Sequence, residues 1–155
     1  MDLPAPRASR FWRRALPVMY TVLGFTDPII RAWWRAAGSG LGNVVELRVA
    51  GRRTGRPRRV LLTLLSDGET WFLGHPNGDV DWTRNLEAAE TADVVFRSGP
   101  PVSVRARRLE PGAERDGAIR TTDQHPFPGD LVYRLARAHI RAVGAFFALE
   151  RVSSP

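Results

Sequence analysis

Apolar residues recur at helical spacing near the start of the chain and at strand spacing through its middle. From Phe11 to Phe25 the positions Phe11/Trp12, Ala15/Leu16, Met19 and Val22/Leu23 follow one another by about a helical turn, which predicts an amphipathic helix. Pro17 lies inside that run, and its ring and missing N–H predict a late start or a kink there. Asp27-Pro28 predicts a second helix, with Asp27 as N-cap and Pro28 at the first helical position; it carries Ile29, Ile30, Trp33 and Trp34 and ends near Gly38. Residues 1–8, rich in Pro and Ala, read as a loose arm ahead of this helical segment of about 9–37.

The period then shortens. Val44 to Val49 and Arg59 to Leu65 read as strands, and Ser66-Asp67-Gly68-Glu69 as a hairpin turn into a third strand, Thr70 to Leu73. Asp81 to Ala89 reads as a short helix. Asp93 to Arg97 and Val102 to Leu109 are strands joined by Ser98-Gly99-Pro100-Pro101. Pro111 to Thr122 and Leu131 to His139 read as helices, and Val143 to Val152 as a closing strand. Short hairpin links make the sheet antiparallel. About six strands with Gly-rich corners predict an α+β fold, a small barrel flanked by helices, in one domain spanning 1–155.

Composition narrows the chemistry. The chain has 155 residues, 43% of them hydrophobic, as in ordinary folded domains. It has no cysteine, which excludes disulfides, thiolate metal sites and cysteine nucleophiles. His75, His125 and His139 are widely spaced and form no metal-ligand pattern, so no metal site is expected. All 23 basic residues are arginine, so lysine Schiff-base chemistry is excluded and any anion site is built from guanidinium forks. Residues 1–60 hold 12 arginines against Asp2, Asp27 and Glu46, which suggests an anionic partner. There is no run of 18 apolar residues, and Arg13 and Arg14 interrupt the first apolar segment, unlike a signal peptide. The expectation is a cytoplasmic protein, with membrane association through its N-terminal helices left open.

Three segments are candidates for chemistry. Gly38-Ser39-Gly40-Leu41-Gly42 has the glycine density of a phosphate loop but neither its Lys-Ser/Thr ending nor a preceding strand, and reads as a flexible connector. Gly51-Arg52-Arg53-Thr54-Gly55-Arg56-Pro57-Arg58-Arg59 packs five arginines between two strands. It reads either as a phosphate cradle, with Gly51 and Gly55 turning the backbone and Thr54 adding a donor, or as a solvated basic hairpin. The third segment runs from His75 through Asn77-Gly78 and Asp79-Val80-Asp81 to Trp82-Thr83-Arg84-Asn85-Leu86. Asn77-Gly78 makes a turn, Asp79 or Asp81 caps the following helix, and Trp82 and Leu86 share its apolar face. Asn85, on the adjacent face, is placed to hydrogen-bond a neighbouring loop.

Taken together, the second and third segments resemble the deazaflavin-dependent nitroreductase family, the F420-dependent split β-barrel oxidoreductases. That family shows G-[RK]-x-[ST]-G-x-x-R between its first two strands and a W-x-x-N-L motif opening the helix after its third. Here these read Gly51-Arg52-Arg53-Thr54-Gly55-Arg56-Pro57-Arg58 and Trp82-Thr83-Arg84-Asn85-Leu86. The resemblance covers roughly Val44 to Arg108. It implies an FMN-binding-like split barrel, commonly a homodimer, that binds F420, with FMN as the alternative cofactor. It further implies that Arg53 and Arg58 hold the tail phosphate with Thr54 and Gly55, and that Arg52 or Arg56 meets the tail carboxylates, with Arg59 nearby. The strand Val60, Leu61, Leu62 to Thr63 and the turn Gly74 to Gly78, with His75 and Asn77, would flank the ring, and Trp82 and Asn85 complete the site.

The sequence also departs from the family. Many members have a serine and a lysine where this chain has Gly74-His75-Pro76, and a His-Pro-x-Trp lead where it has Asp79-Val80-Asp81-Trp82. Thr63 stands where a tyrosine is frequent, which leaves the small-molecule substrate open. His75 is the titratable group at the ring-facing turn; it reads either as a proton source of near-neutral pKa or as a turn histidine. The implied activity is hydride transfer from reduced deazaflavin to an electron-poor or unsaturated acceptor. The alternative is a non-enzymatic binder of F420, lipid or another amphipathic ligand. A nucleic-acid partner is not expected, because no RNP-like aromatic pattern accompanies the arginines. The N-terminal helices, with Trp12, Trp33, Trp34 and their arginines, either pack on the barrel over the substrate mouth or rest on a membrane surface.

Overall fold

A computed structural model describes residues 8–19, 21, 32, 36 and 43–153. The predicted helix start at Asp27-Pro28 and the Gly38–Gly42 connector lie outside these residues; residues 32 and 36 are helical. Helix α1 (residues 10–19) begins after Ser9, whose carbonyl accepts from the Arg13 N–H at 3.0 Å and whose Oγ lies 3.5 Å from the Trp12 N. It continues through Pro17, which is exposed, so the missing donor falls on the solvent side. Trp12 and Leu16 point inward.

Seven strands, not about six, follow: β1 (Val44–Ala50), β2 (Pro57–Thr63), β3 (Leu65–Ser66), β4 (Trp71–His75), β5 (Thr91–Val95), β6 (Val102–Arg108) and β7 (Ala145–Arg151). The additional strand comes from the predicted Arg59–Leu65 run changing partners. Through Thr63 it pairs with β1, the Leu64 N–H then bonds the Asn43 carbonyl at 2.7 Å, and Leu65 pairs with Phe72 of β4. The sheet order is β2-β1-β5-β6-β7-β4-β3, with every neighbouring pair antiparallel, and it curls into a half-barrel of the FMN-binding-like split-barrel kind.

Helices α2 (Asp81–Ala89), α3 (Ala113–Arg120), α4 (Gly129–Leu135) and α5 (Arg137–Val143) complete the chain, with a 3-10 turn at Thr121–Gln124. The predicted Leu131–His139 helix is thus two, divided at Ala136 (φ −88°, ψ 6°), a break that no glycine or proline signals. The closing strand starts at Ala145 rather than Val143, because Gly144 caps α5 through its N–H to the Ile140 carbonyl.

β4 and β7 are buried on both faces, and this divides the interior in two. Leu73, Phe147 and Leu149 join Val45, Leu47, Val49, Val94, Val104 and the α2 residue Leu86 inside the curl. Phe72, Phe146 and Ala148 point the other way, onto Ala118, Ile119, Tyr133, Ala136 and Ile140 of the helical layer, where Trp12 of α1 also packs. The two strands approach so closely that a Cβ at Gly74 would collide with the Phe146 ring.

Candidate functional site

The β1–β2 hairpin loop closes on itself. The Gly51 N–H donates to the Arg56 carbonyl at 2.9 Å and the Gly55 N–H to the Gly51 carbonyl at 2.8 Å, with Gly55 in the left-handed region (φ 67°). A Cβ at Gly51 would lie 3.2 Å from the Arg56 carbonyl and 3.4 Å from Arg58 Nε, so the bare glycine lets the Arg58 stem lie across the loop. Thr54 Oγ1 accepts from the Arg56 N–H at 3.3 Å, leaving its own hydrogen to donate.

Helix α2 holds this loop in place. Asn85 is buried, and its Oδ1 accepts from the Arg52 backbone N–H at 3.2 Å and from Arg52 Nη1 at 2.9 Å. Arg52 Nη2 also pairs with Asp81 Oδ1 at 3.2 Å. Arg52 therefore fastens the loop to the helix. Its guanidinium already meets the Asn85 Oδ1, the Asp81 carbonyl and the Asp81 Oδ1, so of the two arginines implied for the tail carboxylates Arg52 has a structural role as well.

Between loop and helix lies a cavity of about 590 Å³. Val49, Val60, Val80 and Trp82 give it apolar lining; Arg53, Thr54, Arg58 and Arg59 give it cationic and hydroxyl groups beside them, Val49 being the cross-strand partner of Arg58; Gly51, Arg52, Asp81 and Asn85 also line it. Arg53 and Arg58 are exposed and have no acidic side chain at ion-pair distance among the described residues. Like charges crowded in this way repel one another until an anion enters. The amphipathic wall suits a ligand with one flat apolar part and one anionic part.

The turn after β4 is built differently. His75 is 8% exposed, and its Nδ1 lies 3.1 Å from the Gly78 carbonyl and 3.3 Å from the Asn77 N–H. Asn77 Oδ1 accepts from His139 Nε2 at 2.8 Å, and His139 Nδ1 accepts from the Ser9 N–H at 3.0 Å. Gly78 is in a positive-φ conformation (85°) against the Val143 carbonyl. Burial pushes the His75 pKa down to about 4, against smaller raising effects of the Gly78 carbonyl and Asp79. The near-neutral imidazole expected from the sequence is thus corrected: His75 stays uncharged at pH 7. Burial likewise lowers His125, whose Nδ1 meets the Thr122 carbonyl, and His139, which the charge of Arg13 lowers further.

Trp82 joins the two regions. One side of it lines the cavity, and its ring packs against His75 (centroids 6.5 Å apart) and Phe147 (6.2 Å). Of the sequence-predicted residues, the structure brings Arg52, Arg53, Thr54, Arg58, Arg59, Val60, Trp82 and Asn85 around one cavity. Gly55, Leu61, Leu62, His75, Asn77 and Gly78 do not line it: Leu62 packs on the first core, and the other side of Trp82 carries the turn. Sequence reasoning missed Val49, Val80 and Asp81 as lining residues. Val49 was legible as the last inward position of β1, and Asp81 only as a helix cap.

No protein-family model matches the chain, and no curated protein sequence matches it. Solved structures do. An F420-H2 dependent reductase (FDR-A) superposes with TM-score 0.54 at 21% identity, over 70% of this chain and 94% of that one. A protein solved as a domain-swapped dimer superposes with TM-score 0.53 at 21% identity, over 81% and 98% of the two chains. The heme storage protein HutZ from Vibrio cholerae gives 0.53 at 15% identity, over 82% and 90%. At these identities the likeness is one of fold, and it agrees with the curled half-barrel described above.

Proposed function

We propose that the cavity binds the deazaflavin cofactor F420 and that the protein is an F420-dependent oxidoreductase acting on an electron-poor or unsaturated small molecule. The observation that carries this reading is the cavity itself, which is lined by Arg53, Arg58 and Arg59 together with Val49, Val60 and Trp82. A ligand with a flat ring and a tail bearing phosphate and carboxylates matches both the apolar and the cationic lining. Arg53 and Arg58, with Thr54 beside them, offer two separate guanidinium forks, which favours a tail that carries carboxylates as well as a phosphate. The described lining offers no His, Met, Cys or Tyr, so it supplies no axial ligand for a haem.

When bound, F420 in its reduced form supplies a hydride. The chain's residues bind and orient: Arg53 and Arg58 with Thr54 hold the anionic tail, Arg52 and Asn85 fix the loop that carries them, and Trp82 and Val60 flank the ring. Asp81 is held by Arg52 and His75 does not line the cavity, so the proton that completes the reduction comes from solvent. A homodimer is part of the reading. The structure solved as a domain-swapped dimer supports it, as do the half-buried Val60, Leu62, Trp71 and Phe96 at the margin of the first core. The test is titration of the protein with F420, FMN and haem in parallel, followed by turnover with reduced F420 and a panel of electron-poor acceptors. Saturable F420 binding with acceptor-dependent oxidation is expected. Binding without turnover would make the protein a carrier, and preference for haem would overturn the reading.

A further inference from the structure

Among the described residues six large apolar side chains are exposed, and five of them stand on the helical layer: Phe11 (67%) and Val18 (64%) on α1, Phe127 (81%) just before α4, and Leu131 (44%) and Leu135 (66%) on it. Isolated exposed apolar residues need no explanation, but this concentration does. Leu131 and Leu135 lie one turn apart on the side of α4 opposite Tyr133 and Ala136, which are buried in the second core. Phe11 and Val18 lie two turns apart on α1, away from the inward Trp12 and Leu16, and a shallow cleft runs past them and Ala15 with Arg10 and Arg14 at its edge. The two helices belong to one layer: Trp12 packs on the cluster that holds Tyr133, Ala136 and Ile140, and Ser9 is hydrogen-bonded to His139 of α5.

Charge indicates what covers this layer. In residues 127–141 Arg134, Arg137 and Arg141 lie within 4 Å of Asp123, Asp130 or Asp116, whereas residues 8–19 contain Arg10, Arg13 and Arg14 and no acid. A second copy of the chain seated on the same face would set these arginines against themselves, which disfavours self-association. An anionic lipid surface complements them, since apolar side chains enter the acyl boundary while guanidinium groups on long stems reach the phosphates. No described helix is long and apolar enough to cross a membrane, so the contact would be peripheral. The sequence pointed to the N-terminal helices as the possible membrane contact; the structure adds α4.

We propose that α1 and α4 together form a peripheral face that lies on an anionic lipid bilayer, with Phe11, Val18, Leu131 and Leu135 at the acyl boundary and Arg10 and Arg14 at the lipid phosphates. The test is flotation of the full chain with extruded vesicles of phosphatidylcholine, with and without phosphatidylglycerol, at low and at high salt. The parent should float with the anionic vesicles at low salt, and less so at high salt or with neutral vesicles. Leu131→Asp/Leu135→Asp should lower the partition about tenfold or more, and Arg10→Gln/Arg14→Gln several-fold with a flatter salt dependence. All four positions are exposed or at the surface, and retained thermal melts would show that the variants fold. Neither pair touches the cavity, so cofactor titration should stay at the parent's level; loss of one property without the other keeps this proposal separate from the proposed function. Failure of the parent to float with anionic vesicles, or equal flotation of the Leu131→Asp/Leu135→Asp variant, would overturn the proposal. So would a dimer in light scattering that this variant converts to monomer, because that would assign the face to a second copy.

Discussion

Trp82 separates two polar regions built on different terms. On its cavity side Arg53 and Arg58 are exposed, without an acidic partner among the described residues, beside Thr54 with a hydroxyl hydrogen to donate. On its other side His75, Asn77 and His139 are packed against backbone and against one another, with His75 and His139 uncharged at neutral pH. The first arrangement stores repulsion that an anion relieves; the second has already satisfied its polar atoms and rigidifies the turn that leads into α2. Both carry residues a sequence reader would mark as functional, but only the first is left in need of a ligand. The difference predicts that perturbing the turn alters stability and that perturbing the loop alters binding.

The largest effect should come from acid. His75 has a folded-state pKa of about 4 and an ordinary unfolded value near 6.5, so the unfolded chain takes up the proton first. Its contribution to stability is fully present above about pH 6.5 and is lost as pH falls through about 4, amounting to about 3 kcal/mol at most. His125 and His139, also lowered, act in the same direction. Urea denaturation at a series of pH values should show this decline, and His75→Asn should flatten it. A parent stability that stays level from neutrality to pH 4 would break the comparison on the turn side.

Asn85→Ala should come next. It removes the buried acceptor shared by the Arg52 N–H and guanidinium, and should cost about 1–3 kcal/mol of stability. Because Asn85 fastens the loop, the variant should also weaken F420 binding, which isothermal titration would register; loss of stability alone would uncouple loop from helix.

A smaller effect is expected at His75 in catalysis. With its ring uncharged and behind Trp82, the pH–rate profile should show no inflection near the ordinary histidine value. An inflection there that His75→Asn abolishes would restore the proton-source reading. The smallest effect belongs to Arg56→Ala, since Arg56 lies outside the cavity lining: F420 affinity should change by no more than about twofold, because an exposed charge at this distance is largely screened.

Much of this was legible in the sequence. Asp81–Ala89 emerged as a helix because of its Trp82/Leu86 face, although neither Asp79 nor Asp81 caps it: Val80 is the N-cap, bonded through its N–H and carbonyl to Thr83 Oγ1, and Asp79 pairs with Arg108 instead. The β1–β2 hairpin emerged because the Gly51–Arg59 run interrupts two apolar strands. Asn85 was legible as a hydrogen-bonding partner for a neighbouring loop, though not that Arg52 supplies both donors. The change of partner at Leu64 was not legible, since an apolar run reads alike whether it pairs with one strand or two. Nor was the break at Ala136, where a good helix former occupies the joint. The depressed pKa of His75 depends on burial by Trp82 and the chain around it, which residue identity does not encode.

The central claim is that the arginine wall holds the anionic tail of a deazaflavin, and a differential titration tests it most directly. The parent and Arg58→Ala are each titrated calorimetrically with F420 and with the tail-less deazaflavin core. Arg58→Ala should weaken F420 by about 1.5–3 kcal/mol, roughly a factor of ten to a hundred or more, while affinity for the core is unchanged. Equal affinity of the two proteins for F420, or equal loss for F420 and the core, would contradict it.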